Sequence, residues 1–457
     1  MPYRAVSTLL PTVACILILT GCSSMPGDHG YLTQAEAERQ SIGQWSQLDG
    51  TSDAVYLDDL IDSQELAELI NEALAANPGL QQTLLSLDIL QTQYRITRSG
   101  QLPAVEAGLS AGKEENSDSN YTGTVSVSWE LDLWARISNE KSAVAKDIAE
   151  QAELYQAARD TLVAEVMQSW LQLINLQHSS GIEQQRVELL ERNEQLIIQR
   201  YRSGLGTLED LDSARSSSSS ARATLVSVQE SLQQQQRAMN VLLGRSQGDI
   251  NVASDYPEVL VPLTELPDQT LQRRPDLKAA FLATEAADFR TRAAYKEMLP
   301  TISLEAALSD NGSSPAEALL KDPVWTLLGQ LTAPLFRGGE LQATADAAEL
   351  TTAQSFQAYR ETLLNAVQEV ENAIGLEASL GQQQEHIKQA LESAHRNLEQ
   401  YQSKYRSGLV SMLDLLEVQQ QTFDLQSQLD ELTYQRLSNR ITLGLALGLG
   451  IKEITQE

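Results

Sequence analysis

The sequence has almost no cysteine: only Cys15 and Cys22 occur among 457 residues. Both lie near the start of the chain, so no disulfide can form among the residues that follow Cys22. The fold of that long remainder must therefore be stabilised by burial and by assembly, without covalent crosslinks.

Basic and aromatic residues are also scarce. The chain carries 33 Lys and Arg against 62 Asp and Glu, which gives a formal net charge of −29, and only 5% of its residues are aromatic. Such an acidic chain repels a polyanion, so we exclude nucleic acid as a partner. The abundant Gln, Leu, Ala, Ser and Glu are typical of long helices with polar faces.

Patterns of catalytic and metal-ligating residues are missing as well. The four histidines show no metal-ligand spacing, so we predict no metal site, and we expect histidines on polar helix faces to be solvated. Gly108, Ser110 and Gly112 match the Gly-x-Ser-x-Gly motif of hydrolases, but a polar loop follows where that motif needs a helix. We therefore predict that the chain is not an enzyme. The four histidines are His29, His178, His386 and His395.

Long hydrophobic runs are absent apart from one short stretch, Val13 to Leu19, which follows Arg4. That stretch is too short for a transmembrane helix and is typical of a cleaved signal. Any crossing of a membrane by the rest of the chain must use strands, because only helices and closed sheets satisfy their backbone groups in lipid.

The signal ends in Leu19-Thr20-Gly21-Cys22, which resembles the bacterial lipoprotein box. The resemblance implies cleavage before Cys22 and a covalent lipid on that cysteine; the alternative is an ordinary signal with an incidental cysteine. Ser23 stands where an Asp would indicate retention at the inner membrane. We therefore expect the protein in the outer membrane of a Gram-negative bacterium, in contact with its lipid.

Proline is absent from two long stretches, Arg136 to Arg202 and Glu340 to Arg406. Glycine is rare in both, and apolar residues recur at helical spacing. At a rise of 1.5 Å per residue, each stretch predicts a helix roughly 100 Å long. The narrow apolar stripes favour coiled-coil packing between such helices.

A tandem duplication relates these stretches. Tyr201-Arg202-Ser203-Gly204-Leu205 recurs 204 residues later as Tyr405-Arg406-Ser407-Gly408-Leu409. Leu102-Pro103 likewise recurs as Leu299-Pro300. Repeats of this size fix the architecture, so we predict two copies of one hairpin unit in each chain.

Each pentapeptide carries signals for the end of one helix and the start of another. Gly204 and Gly408 supply the left-handed residue that ends a helix. Thr207 and Ser411 each stand three residues before an Asp, a spacing that resembles a capping box. The pattern predicts tight helical hairpins, and the two tips are either plain surface turns or one shared working surface.

Four segments alternate between apolar and polar residues as strands do. Two are strong, Val125 to Leu133 and Ile302 to Leu308, and two are weaker, Val105 to Leu109 and Val324 to Leu331. Loop residues separate each pair, including the run Asp310 to Ser314 in the second. Soluble sandwiches show the same alternation, so the lipoprotein box is what favours a membrane here. Four strands cannot close alone, and open edges are excluded in lipid, so several chains must combine. An aromatic belt is predicted from four residues that lie within or at the ends of these segments, Trp129, Trp134, Trp325 and Phe336.

Together these motifs resemble the TolC-type outer-membrane efflux proteins, and in particular their OprM/NodT-like lipoprotein branch. The resemblance rests on the lipoprotein box, the Leu-Pro strand starts and the paired turns, together with Trp129 to Trp134 and Ala333 to Gly339. It implies an α+β membrane protein that assembles as a homotrimer. A twelve-stranded β-barrel, with four strands from each chain, would continue into a long periplasmic helical barrel. Both termini and the mid-chain linker would form a mixed equatorial domain.

The resemblance also implies a division of the chain into eight parts. The outer four are a signal peptide (1–21), a lipidated segment with the first equatorial helices (22–100), a linker with equatorial helices (248–298) and a C-terminal tail (449–457). The inner four are two β-barrel hairpins (101–135 and 299–336) and two helical-barrel hairpins (136–247 and 337–448).

The implied function is a passive exit duct of a tripartite efflux system, conducting drugs or other small molecules. Its partners would be a periplasmic adaptor and an inner-membrane pump of the resistance-nodulation-division type. Two alternatives stay open: the duct of a type I protein secretion system, and a non-conducting lipid-anchored scaffold. The adaptor would meet the two hairpin tips, which comprise Arg202, Ser203, Gly204, Leu205, Arg406, Ser407, Gly408 and Leu409.

A gate at the periplasmic mouth is implied just after the second tip. In the family, an apolar residue and an acid one helical turn later narrow the mouth, and Leu413 and Glu417 match those positions. Three copies of Glu417 would form a ring that repels anions and holds cations. Asp414 and Arg406 are expected to join the closed-state network, although Asp414 also fits a plain helix cap. No cofactor is expected beyond the lipid on Cys22.

Overall fold

A computed structural model describes residues 30–46, 56–115, 118–262 and 267–452. The predicted signal segment and Cys22 lie outside these ranges. The helices are α1 (Tyr31–Gln40), α2 (Gln64–Ala76), α3 (Pro78–Ser99), α4 (Arg136–Arg202), α5 (Leu208–Leu242), α6 (Pro267–Arg273), α7 (Pro275–Lys296), α8 (Glu340–Arg406) and α9 (Met412–Ala446), and a 3-10 turn spans Leu57–Leu60. The strands are β1 (Ala104–Gly112), β2 (Asn120–Leu131), β3 (Thr301–Gly312) and β4 (Val324–Thr332).

The two proline-free stretches are helical over the predicted lengths. Helices α4 and α8 each contain 67 residues and end at Arg202 and Arg406, where the Ser-Gly turns begin. Helices α5 and α9 each contain 35 residues, so the duplication extends through both hairpins. None of the helices in the described ranges combines the length and the apolar character needed to cross a membrane.

The chain divides into two compact units. One comprises the described residues of Met1–Arg39, Asp88–Glu150 and Ala279–Glu361, and contains the four strands of the described ranges. These form an antiparallel sheet in the order β1-β2-β3-β4, so the two predicted hairpins pair with each other through β2 and β3. Strands β1 and β4 are the edges of this sheet, and every residue in them is exposed in the single chain.

The predicted end of the second strand was wrong by two residues. Strand β2 stops at Leu131, so Leu133 leaves the sheet. The cause is Asp132, whose carboxylate accepts hydrogen bonds from the backbone N–H groups of Ile137 (3.0 Å) and Ser138 (2.8 Å). The chain therefore turns into α4 at the point where the alternating pattern alone would have continued the strand.

The loop predicted to begin at Asp310 starts later. Asp310, Asn311 and Gly312 still belong to β3 and pair with residues 121–123 of β2. The hydroxyl of Thr122 donates to Oδ1 of Asn311 over 2.7 Å, and this cross-strand pair extends the hairpin beyond its turn-forming composition.

The predicted aromatic residues occupy different positions around the sheet. Trp129 lies in β2 and Trp325 in β4. Trp134 lies in the turn after β2, where its Nε1–H donates to the carbonyl of Pro300 over 2.6 Å. Phe336 follows β4 and is 89% exposed.

The second unit comprises the described residues of Gln40–Leu87, Gln151–Lys278 and Thr362–Glu457. Its main core surrounds the fully buried Trp170 of α4. Three distant segments join this core: Ile61 bridges Val259, and the N–H of Leu57 donates to the carbonyl of Gly450 over 2.8 Å. A segment near the start of the chain, the mid-chain linker and the C-terminal segment thus meet.

Candidate functional site

The first hairpin tip is built by backbone hydrogen bonds. Gly204 has a φ of +73°, in the left-handed region. This lets the N–H of Leu205 reach back to the carbonyl of Arg200 (2.9 Å) and that of Gly204 to the carbonyl of Tyr201 (3.0 Å), a Schellman motif that satisfies the last carbonyls of α4.

Helix α5 then begins in a capping box. The Oγ1 atom of Thr207 accepts from the N–H of Asp210 over 3.1 Å, and the Asp210 carboxylate accepts from the N–H of Thr207 over 3.1 Å. The Thr207 hydroxyl also donates to the Asp210 carboxylate over 2.7 Å, and this bond, together with the one from the Thr207 N–H, holds the pKa of Asp210 below its usual value. The predicted stop and start signals are confirmed for this tip.

The second tip repeats this geometry 204 residues later. Gly408 has a φ of +72°, and the N–H of Leu409 donates to the carbonyl of Lys404 over 2.9 Å. Ser411 and Asp414 form the second capping box, with bonds of 2.8 and 3.1 Å. All eight residues predicted at the two tips are exposed, and the side chains of Leu205 and Leu409 are 72% and 75% exposed.

A common core lies behind the tips and joins the two hairpins. It contains buried residues of α4, α5 and α9, and the half-buried Leu413 packs against it. Both tips therefore belong to the same end of this unit. The core residues are Val187, Leu190, Ile197, Leu211, Ala214, Ala221, Met412, Leu415 and Leu416.

The four predicted gate residues differ in their contacts: Asp414 and Arg406 have hydrogen-bond partners within their own chain, whereas Leu413 and Glu417 are described by their exposure. Leu413 is half-buried and Glu417, one helical turn further along α9, is exposed. The Asp414 carboxylate accepts from the N–H and hydroxyl of Ser411, and these bonds lower the pKa of Asp414. Arg406 donates to the carbonyl of Gln402 in its own helix. Within the part of the chain that the structure describes, Asp414 therefore serves as a helix cap.

A polar seam between α4 and α9 has no counterpart in the sequence predictions. His178 of α4 places Nδ1 2.8 Å from Oδ1 of Asp430 in α9 and Nε2 2.6 Å from the carbonyl of Ser254. The expectation of a solvated His178 was wrong, because this face of α4 packs against both α9 and the mid-chain linker. Asp430 lies 252 residues from His178, so no local pattern signals the pair.

The same seam continues toward the tips. Arg186 donates to Asp424 over 2.8 Å, and the buried Asn193 donates to Gln419 over 3.0 Å. Polar side chains thus fix the register of α9 against α4.

A buried carboxylate links α8 to α9. Oε1 of Glu377 accepts from Nε of Arg436 (2.9 Å) and from Nη2 of Arg440 (2.9 Å), and the Glu377 side chain is 4% exposed. Arg440 also donates to the carbonyl of Val259, so the mid-chain linker is held by the same group. The structure shows no group of three His, Cys, Asp or Glu residues placed to hold a metal ion within its described ranges.

Two duplicated helical hairpins and a four-stranded antiparallel sheet make up the fold of the outer-membrane efflux channels, to whose solved structures this chain is similar. The chain belongs to the outer membrane efflux protein family, whose model matches residues 69–245 and 266–449.

Individual relatives resemble the chain over most of its length. It is 26% identical to the probable outer membrane lipoprotein SilC of Salmonella typhimurium, over 96% of this chain and 98% of SilC. It is 30% identical to the outer membrane protein OprJ of Pseudomonas aeruginosa, over 85% of each chain. A solved structure of CusC is 25% identical, with a TM-score of 0.77 over 90% of this chain and 100% of that one.

These likenesses confirm the predicted fold class and location. The chain is an α+β membrane protein of the trimeric outer-membrane channels with a helical barrel. It functions as the outer-membrane channel of a tripartite efflux system, which operates with an adaptor and an inner-membrane pump. Its relatives are channel proteins and not enzymes.

Proposed function

We propose that this chain is a passive exit duct whose periplasmic mouth is closed by Leu413 and Glu417. The observation that carries the proposal is the pair of matched tips, each ending in an exposed leucine, with these two residues just after the second. Three copies of a half-buried leucine and an exposed carboxylate around one axis would form an apolar constriction and an acidic ring. Asp414 and Arg406 would join this closed state across chains, in addition to the partner that each has within its own chain.

The remaining features of the proposed duct follow from the same assembly. Three sheets of four strands would close into a twelve-stranded barrel, since the exposed edges β1 and β4 need partners in lipid. A lipid on Cys22 would anchor the chain, and the aromatic belt residues would lie at the membrane surface. The division into eight parts that the resemblance implies belongs to this proposal, and no residue is proposed to be catalytic.

The partner at the two tips would be the adaptor. Each tip presents an apolar side chain, Leu205 or Leu409, beside a helix end, which suits the end of another helical hairpin. The pump would be of the resistance-nodulation-division type, consistent with a lipid-anchored outer-membrane partner.

A second candidate cargo is cations. CusC is named a cation efflux system protein, and the net charge of −29 would favour cations in a water-filled lumen. Drugs and other small molecules remain the first proposal, because a wide duct leaves selection to the pump.

Single-channel recording of the purified trimer in planar bilayers tests the gate. We expect small cation-selective steps from the wild type and larger steps from a Leu413→Ala/Glu417→Ala double variant. The matched control is Glu209→Ala/Ser213→Ala, the same two positions in the first hairpin, which should leave the steps unchanged. Absence of current from all three folded trimers would instead favour the bridging scaffold. Current steps of equal size from all three would contradict the proposed gate.

A further inference from the structure

His178 stands between two hydrogen-bond acceptors. Its Nδ1 faces the Asp430 carboxylate (2.8 Å) and its Nε2 faces the carbonyl of Ser254 (2.6 Å). A neutral imidazole has a single N–H and serves only one of two acceptors, whereas an imidazolium serves both. Both hydrogen bonds can therefore form beside a charged Asp430 only when His178 carries a second N–H proton.

The other contacts of Asp430 are donors, which complete the arrangement. Oδ2 of Asp430 accepts from Nδ2 of Asn175 (3.2 Å) and from the hydroxyl of Tyr256 (3.3 Å). The ring of Tyr256 also packs edge-on against His178, with ring centroids 4.8 Å apart. Helix α4, the mid-chain linker and α9 thus meet at one protonated pair.

The charged groups around the pair favour the proton. Glu431 faces the pair from α9 and Asp255 faces it from the linker, which also contributes the neutral Tyr256, while α4 contributes the uncharged Asn175. Burial lowers the pKa of His178, but the hydrogen bonds to Ser254 and Asp430 outweigh it and raise the pKa above its usual value. Burial also raises the pKa of Asp430. Both directions mean that the pair keeps its proton to higher pH than an isolated histidine.

We propose that protonated His178 is a latch that holds α9 against α4 and the mid-chain linker, and that loss of its proton favours opening of the channel. Asp430 and Glu417 lie on the same helix, so the latch acts on the element that carries the proposed gate. A cavity of about 510 Å³ beside the pair, lined by Ile182, Leu429 and Thr433 among others, gives the side chains space to separate. The link to opening rests on the proposed duct function, whereas the latch itself does not.

The direction of the pH effect follows from the raised pKa of His178. The latch contributes its full stability below the pKa of an unfolded histidine, about 6.5, and loses it as pH rises through the folded value. An acidic periplasm would keep the channel closed and an alkaline one would loosen it.

Thermal unfolding of the detergent-solubilised trimer between pH 6 and pH 9 tests the latch without requiring conduction. We expect the melting temperature of the wild type to fall as pH rises across this range. The melting temperature of His178→Gln should not show this fall. His386→Gln is the matched control, because His386 is an exposed histidine of α8, and it should behave as the wild type does. Asp430→Asn removes the negative partner while keeping acceptor and donor groups, so its fall should shift to lower pH.

Single-channel recording over the same range tests the link to opening. Open time of the wild type should increase with pH, and that of His178→Gln should be high throughout. A wild-type pH dependence retained in both His178→Gln and Asp430→Asn would overturn the latch. If His178→Gln loses the pH dependence of the melting temperature but the open time of the wild type does not change with pH, only the link between the latch and opening is overturned. Absence of any current would count against the duct and leave the melting result to decide the latch.

Discussion

The two helical hairpins share one backbone design but not the same side chains. Both tips have the glycine with positive φ, the Schellman motif and the capping box. After the tips, Leu211 and Leu415 are both buried, as are Ala214 and Val418. The interactions that form the turn at each tip and the buried positions behind it are therefore the same in both copies.

The copies differ at the positions proposed for the gate. Glu209 and Ser213 of the first hairpin correspond to Leu413 and Glu417 of the second. A duplicated scaffold thus provides two equivalent helix starts with different side chains at these two positions. The comparison teaches that the residues that build the tip are separate from those proposed for the gate.

A deeper difference lies along the long helices. Glu377, with its two arginines, stands 204 residues after the buried Leu173. The second hairpin therefore holds its helices together with a buried ion cluster where the first uses apolar packing.

The largest expected effect comes from breaking this cluster. Glu377→Ala leaves Arg436 and Arg440 without their carboxylate, and loss of one partner of a buried ion pair costs about 3–5 kcal/mol. We expect a large fall in the melting temperature of the trimer. Glu392→Ala, at an exposed position of the same helix, is the control.

A triple variant sharpens the same comparison. Glu377→Leu/Arg436→Leu/Arg440→Gln introduces the residues of the first hairpin, and should recover much of the loss because no buried charge stays unpaired. A triple variant as unstable as Glu377→Ala would show that apolar packing cannot replace the cluster in α8 and α9.

An intermediate effect is expected at Asp160 of α4. The residue is 3% exposed, and burial raises its pKa to about 6. The charged form is disfavoured in the folded state, so this cost is absent below the unfolded pKa of about 4 and complete above the folded value. Asp160→Asn should therefore stabilise the protein at pH 8 by at most about 3 kcal/mol, and much less at pH 4.

Melting curves of the Asp160→Asn trimer at both pH values measure this effect. Asp212→Asn, at an exposed position of α5, serves as the control and should change neither curve appreciably. A stabilisation by Asp160→Asn that is the same at pH 4 and pH 8 would contradict the assigned cause.

The smallest effects are expected at the two capping boxes. Thr207→Ala and Ser411→Ala each remove the side-chain acceptor of a helix start, a loss of about 1 kcal/mol. Because the two boxes have the same hydrogen bonds, we expect equal changes in melting temperature, measured on the single variants and on their combination. Clearly unequal losses would show that the tips differ in more than their gate residues.

Much of the fold could be predicted because its signals are local. The absence of proline gave the extents of α4 and α8, and the Ser-Gly turns gave the ends of both. Strand alternation located all four strands but misplaced several of their ends. At two of these ends the cause is visible, because Asp132 caps α4 and Thr122 pairs with Asn311 across the sheet. The predicted gate and tip residues could be placed on these elements, whereas their roles in a trimer depend on other chains and stay predictions.

The sequence by itself determined the duplication, the helix ends and the backbone of the tips. The duplication is a repeat that can be read directly, and the helix ends and tips depend on φ preferences and on hydrogen bonds between residues fewer than six positions apart. Only the tertiary structure decided that Asp160 is buried while Leu364, its counterpart in the second hairpin, is 66% exposed. It also decided that His178 meets Asp430 and that Glu377 meets two arginines. These pairings depend on which faces of the long helices pack together. The partners are far apart in the chain, so the local sequence does not predict them.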